Sequence, residues 1–284
     1  MEITKDNNSI SVFNKDFNIQ EILDCGQVFS YKKLSAKEYV VVSLDKVANI
    51  KIGDEKTVIN TKFVDYFYNY FDLDTDYEEI KKEICTLQSD FDKFFCGGNS
   101  IRILRQDAYQ TIISFIVSAN NNIKRIKKIL FAISQKFGQK LSDDLFSFPT
   151  AKQLMSATEE DFKKLGAGYR SAYLVDTIKM LQTQDFDIEK LKQLDTKSLK
   201  QRLLQLKGVG NKVADCILLF GFARTDVFPV DTWIRKAYSF FCNKKRNDKQ
   251  ISEYFVDLFK NCSGYAQQYI FNYMITSKAF YNKG

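Results

Sequence analysis

The sequence predicts an α+β fold, a small antiparallel sheet near the N terminus followed by a larger all-helical part. Two observations carry this. The first third contains short alternating apolar stretches bounded by turn residues, which read as strands. From about Gln106 onward, apolar residues recur at helical spacing almost throughout. Two domains follow, a β-rich one over 1–105 and a helical one over 106–284, in a chain long enough to bury a sizeable core.

Each element has a local reason. "ISVFN" alternates apolar and polar residues, and "YVVVSLDKVANIKIG" reads as two strands around Asp45-Lys46, with Gly53 closing the second. "KTVINTKF" can continue the sheet, and "FVDYFYNYFDLDTDYEEIKKEI" turns helical with a charged break at residues 72–76. Asp107 with Gln110 resembles a capping box. Apolar positions at Ile112, Ile113, Phe115 and Ile116 follow, then Ile123, Ile126, Ile129, Leu130 and Ile133, until Gly138 ends the run. Ser156 and Glu159 are expected to open a helix that stops at "GAGYR". Another helix runs from Asp195 toward Leu206, Gly208-Val209-Gly210 breaks it, and Asn211 is expected to cap the next. Pro229 and Asp231 introduce a helix holding Trp233, and "YAQQYIFNYMITSK" is the last.

Composition removes several kinds of chemistry. There is no histidine, so imidazole bases, His-based triads and His-containing zinc sites are excluded, and acid–base work falls to carboxylates, Lys, Cys or Tyr. Of the six cysteines (Cys25, Cys85, Cys96, Cys216, Cys242 and Cys262), no two show metal-pair spacing, so no metal site is expected. The polar N terminus is not a signal peptide, no apolar run is long enough for a membrane span, and the scattered cysteines read as those of a reduced, intracellular protein. The formal charge of +7 favours a polyanionic partner, weakly when taken alone.

The most informative stretch is "LKGVGNKVADCILLFGFARTDVFPVD". Two helices joined by Leu-x-Gly-Val-Gly form a helix–hairpin–helix. Its glycines at 208 and 210 let the backbone approach a ligand closely. The free N–H groups of the second helix can hold a phosphate without reading sequence. The bland alternative is a tight turn between packed helices. Lys212 stands just inside the second helix, where a helix N-terminus and burial both disfavour an ammonium and so favour a nucleophilic amine. Alternatively it is a surface lysine paired with Asp215. Asp231 is at least an N-cap. A carboxylate there can also stabilise a cationic, sugar-like transition state, as glycoside cleavage requires.

These residues resemble a family. "GVGNKVADCI" with "PVD", "ILRQD", "SANNNIKRI", "GAGYR" and "YAQQYIF" is similar to 8-oxoguanine DNA glycosylase/AP lyase of the helix–hairpin–helix (HhH-GPD) DNA glycosylase superfamily, over about residues 25–271. The resemblance implies a TBP-like antiparallel β domain followed by an all-helical glycosylase core, with the damaged base flipped into a pocket between them. It implies excision of 8-oxoguanine opposite cytosine through a lysine Schiff base, then strand scission by β-elimination. Lys212 matches the nucleophile and Asp231 the supporting carboxylate. In the base pocket, Gly26 matches the backbone carbonyl that meets the lesion's N7–H. Gln267 matches the reader of its Watson–Crick edge, and Phe271 and Cys216 its two flanking walls. Asn120, Arg125 and Arg170 match the residues that meet the opposite cytosine, and Tyr169 the aromatic wedge. Gly208, Val209 and Gly210 match the phosphate-gripping hairpin. The expected partner is double-stranded DNA containing 8-oxoguanine, with no cofactor and no membrane, the chain acting as a monomer.

One departure is Trp233, where many eukaryotic members carry a histidine that contacts phosphate; the indole can donate a hydrogen bond but cannot gain charge. The iron–sulfur cysteines of endonuclease III and adenine-glycosylase relatives are also missing. Three alternatives stay open: the same fold acting on another damaged base, a monofunctional glycosylase using Asp231 with water, and a DNA-binding module without catalysis.

Overall fold

The structure, a computed structural model, describes residues 2–14, 17–94, 100–242 and 244–276; Cys96 and the end of the last predicted helix lie outside them. A six-stranded, wholly antiparallel sheet is built from β1 (Ile3–Lys5), β2 (Ser9–Phe13), β3 (Tyr31–Lys33), β4 (Glu38–Ser43), β5 (Lys46–Ile52) and β6 (Lys56–Asn60), in the order β1-β2-β6-β5-β4-β3. The expected turn lies between β4 and β5, where Leu44 takes φ +55°. Period-two patterning sets the register: Ile10 pairs with Ile59 and Ile59 with Ile50, all buried on one face. That face is covered by α1 (Ile19–Asp24) and α2 (Val64–Tyr70), which supply Ile19, Ile22, Phe67 and Tyr70 to one core.

The remaining helices are α3 (Tyr77–Leu87), α4 (Ala108–Ser118), α5 (Ile123–Phe137), α6 (Ala151–Leu154), α7 (Glu159–Lys164), α8 (Arg170–Met180), α9 (Ile188–Lys192), α10 (Thr196–Leu203), α11 (Asn211–Gly221), α12 (Thr232–Phe241), α13 (Asp248–Phe259) and α14 (Ser263–Thr276). A small hairpin, β7 (Lys140–Ser142) and β8 (Leu145–Phe146), follows α5. A second core unites α4, α5, α8, α10 and α11. The third joins Tyr77 and Ile84 of α3 to α12, α13 and α14. No helix of the described residues is long and apolar enough to cross a membrane.

Three helix starts differ from expectation. Asp107 caps α4, accepting from the Gln110 amide at 2.8 Å, but the Gln110 side chain does not return the bond. It accepts from the Leu44 amide (2.9 Å) and donates to Ser30 Oγ (3.0 Å), tying helix to sheet. The cap of α7 falls two residues after Ser156, because Thr158 and Asp161 form a reciprocal capping box there. Asn211 is already helical, and Gly210 is the cap of α11.

Candidate active site

The N-termini of two helices supply the predicted chemistry. Gly208 turns the hairpin at φ +82°, and a Cβ there would fall 2.5 Å from Tyr173 Cδ2, so glycine is required on both counts. Val209 anchors the turn in the core. Gly210 faces open space and offers no side-chain cap, which leaves the first N–H groups of α11 for an outside acceptor.

Lys212, the second residue of α11, is half-buried, with Nζ 5.6 Å from the Phe115 ring centroid, and it lines the same cavity as the Cys216 thiol one turn on. Burial pushes that thiol up to about 11, with Lys212 pulling the other way, so sulfur stays protonated near neutrality. The bland pairing of Lys212 with Asp215 is not made. Asp215 is buried on another side of α11, its Oδ1 2.6 Å from Lys200 Nζ of α10. Asp231 caps α12, Oδ1 accepting from the Ile234 amide at 2.9 Å, while Oδ2 accepts no hydrogen bond among the described residues.

One cavity of about 50 Å³ gathers Gly26, Lys212, Cys216, Asp231, Gln267 and Phe271, the six predicted catalytic and base-pocket residues. They come from the loop after α1, from α11, from the cap of α12 and from α14. Gly26 sits at φ +77°, and its carbonyl accepts no hydrogen bond among the described residues. Gln267 is 5 % exposed, and its Oε1 has no partner. Leaving such an acceptor bare costs about 1–3 kcal/mol, which a ligand N–H would recover. Sequence reasoning missed Phe115, Phe220, Pro229, Cys25 and Gln268 in the same wall. Phe115 and Phe220 stack at 5.6 Å and carry no signal beyond ordinary apolar helix positions.

Gly26, Lys212, Asp231 and Phe271 also border a wider groove of about 720 Å³ that continues past Asn121, Asn122, Lys124 and Trp233. Lys236 Nζ lies 4.7 Å over the Trp233 ring, so a cation stands beside the indole although the indole cannot itself gain charge. A more apolar cavity, about 270 Å³ between the sheet and α5, holds none of the predicted site residues; apolarity alone does not locate the chemistry.

Asn120, Arg125, Tyr169 and Arg170 converge at a second place. The three asparagines form a helix break: α4 ends at Ser118, Asn120 takes φ +48°, and Asn122 caps α5. Tyr169 is 55 % exposed and donates to the Ala119 carbonyl at 3.3 Å. Arg125 is exposed, with Nη2 3.2 Å from the Gly166 carbonyl. Arg170 differs from an open reader. It is 3 % exposed, and its guanidinium supports the break from beneath, donating to the carbonyls of Ala119 (2.8 and 2.6 Å) and Asn120 (2.7 Å).

Two family models match the chain. The description "HhH-GPD superfamily base excision DNA repair protein" covers residues 113–261, and "8-oxoguanine DNA glycosylase, N-terminal domain" covers residues 9–112. The chain belongs to the HhH-GPD superfamily of base excision DNA repair proteins, with the N-terminal domain type found in 8-oxoguanine DNA glycosylases. A probable N-glycosylase/DNA lyase from Methanothermobacter thermautotrophicus is 31 % identical over 193 residues, 60 % of this chain and 62 % of that protein. The chain spans between about half and three fifths of the length of the curated relatives it first matches. The Clostridium acetobutylicum 8-oxoguanine glycosylase/lyase, solved with double-stranded DNA containing cytosine opposite 8-oxoguanine, superposes with a TM-score of 0.89. It is 37 % identical, over 96 % of this chain and 97 % of that one. A 3-methyladenine DNA glycosylase from Archaeoglobus fulgidus shares the fold (TM-score 0.74) at 16 % identity, so the fold alone does not fix the base removed.

Proposed function

We propose that this chain is a bifunctional DNA glycosylase/AP lyase that flips out and excises 8-oxoguanine opposite cytosine and then cuts the strand. The observation that carries the reading is a pair of unused acceptors, the Gly26 carbonyl and the buried Gln267 Oε1, in the cavity that holds Lys212 and Asp231. Guanine presents a lone pair at N7, whereas 8-oxoguanine presents N7–H. A fixed carbonyl at Gly26 therefore attracts the lesion and repels the normal base. Gln267 accepts from an N–H of the Watson–Crick edge, and Phe271 and Cys216 flank the ring.

The Lys212 amine attacks C1′, and the N-glycosidic electrons leave on the base, which takes up a proton. Asp231, held by its cap bond with one oxygen unengaged, offsets the positive charge that develops on the sugar. Opening of the sugar gives a Schiff base. Loss of a C2′ proton then expels the 3′ phosphate by β-elimination. The uncapped N-terminus of α11 grips the backbone near the lesion, so affinity should fall steeply with salt. Arg125, Tyr169, Asn120 and Arg170 form the opposite-base side of this reading. An intracellular, DNA-containing compartment is part of the proposal, in keeping with the free thiols of Cys25, Cys85, Cys216, Cys242 and Cys262.

The test is a labelled duplex with one 8-oxoguanine opposite cytosine, analysed before and after hot alkali. Strand cleavage without alkali supports glycosylase and lyase together. Cleavage only after alkali supports a glycosylase without lyase, and none in either case contradicts the reading.

A further inference from the structure

The Gly26 carbonyl can select for N7–H only if its peptide is held in one orientation, and glycine at φ +77° does not hold it. Rotating the Gly26–Gln27 peptide would replace the acceptor by an N–H donor, which suits the bare N7 of guanine. The neighbouring peptides are pinned on both sides by glutamine amides. Gln268 of α14, 3 % exposed, donates from Nε2 to the Cys25 carbonyl at 3.1 Å. Gln106 donates from Nε2 to the Gln27 carbonyl at 2.7 Å, while its own amide is bonded to the Phe220 carbonyl at 3.0 Å. The side chain of Gln27, fully buried, donates to the Ile22 and Arg102 carbonyls (2.9 and 2.8 Å) and accepts from the Leu104 amide (2.8 Å). Two flanking carbonyls are thus capped, and the middle one is left without a donor.

We propose that Gln268 and Gln106 are positioning residues that fix the Gly26–Gln27 peptide as an acceptor and thereby set discrimination against undamaged guanine. This rests on the functional reading above. Gln268 also borders the cavity, whereas Gln106 does not, so Gln106 isolates the route through the backbone. Their effect passes through the backbone of residues 25–27, from the last helix and from the segment that leads into α4.

Binding in a Lys212→Gln background tests it, with three duplexes opposite cytosine: 8-oxoguanine, guanine, and a tetrahydrofuran abasic analogue. The abasic analogue presents no base to read. Replacing Gln268 by Met keeps the shape and removes the donor. The expected result is a roughly tenfold fall in the 8-oxoguanine-to-guanine affinity ratio, with abasic affinity unchanged. Gln106→Met should do the same from the other side, and it carries the test if the α14 variant does not fold. A ratio unchanged in both variants overturns the proposal, and so does an equal loss on all three duplexes, which would make the glutamines purely structural. A background protein with no preference for 8-oxoguanine would instead overturn the functional reading and the proposal that rests on it.

Discussion

The Phe271 ring stands 3.6 Å from the point that a Cβ on Gly26 would occupy, so the acceptor loop and the aromatic wall face each other across the cavity. At about 50 Å³ the space suits a water or two rather than a purine. A purine therefore needs this space to widen toward the groove that Gly26, Lys212, Asp231 and Phe271 also border.

Gly26→Ala follows from that arrangement. The distance is ordinary packing, so the damage comes from the backbone: alanine at φ +77° costs about 1–2 kcal/mol. Relief by rotating the peptide would also misplace the acceptor. The variant should lose at least about tenfold in single-turnover excision of 8-oxoguanine, while keeping affinity for an abasic duplex. Single-turnover kinetics beside abasic binding check this.

Arg125 and Arg170 should separate by their burial. Arg125→Ala removes an exposed guanidinium and should erode the preference for cytosine over adenine opposite the lesion without moving Tm. Arg170→Ala strips donors from the Ala119 and Asn120 carbonyls and should cost about 2–4 kcal/mol of stability as well. Denaturant melts alongside excision from both duplexes distinguish the two.

Gly208→Ala meets both positive φ and the Tyr173 ring, so it should destabilise by about 2–4 kcal/mol. On the proposal that the hairpin grips phosphate, affinity should fall equally for lesion and normal duplexes. A binding assay on the two, with a thermal melt, checks it.

Asp215 gives a pH prediction. Burial raises its carboxyl to about 6 from an ordinary 3.8, with Lys200 opposing. Between those values the folded chain holds a proton that the unfolded chain releases, so stability from this group is full at low pH and is lost as pH rises through the window. Asp215→Asn cannot titrate. Its stability relative to wild type should rise by about 2–3 kcal/mol from pH 4 to pH 6, which denaturant melts across that range measure.

Much of this was legible in the sequence, for physical reasons that differ by residue. Strands β2, β5 and β6 follow from alternation, β4 from a short apolar run, and Gly208 from the positive φ it must adopt. Lys212 and Asp231 stand out by their place at helix starts, but the base-pocket residues became visible only through family resemblance. Phe115 and Phe220 look like core, because they are core on one side and cavity wall on the other. The adjacent Gln267 and Gln268 are both buried, and nothing in the order of residues says that one leaves an acceptor open while the other closes a carbonyl contributed by residue 25. Nothing in the sequence shows that Arg170 is buried, because its partners are the Ala119 and Asn120 carbonyls that the fold brings to it. Strands β1 and β3 have three residues each, too few for a pattern, and α8 lacks a clear apolar stripe because Arg170, Ser171 and Thr177 are buried among its apolar residues.

The central claim is that the Lys212 amine is the nucleophile, and borohydride trapping measures it most directly. Wild type and Lys212→Gln would be incubated with a duplex carrying one 8-oxoguanine opposite cytosine, reduced, and resolved by denaturing gel. The account predicts a covalent protein–DNA adduct with wild type and none with Lys212→Gln, which should still bind the lesion. Base loss by wild type without any adduct would contradict it and leave Asp231 with water as the working pair.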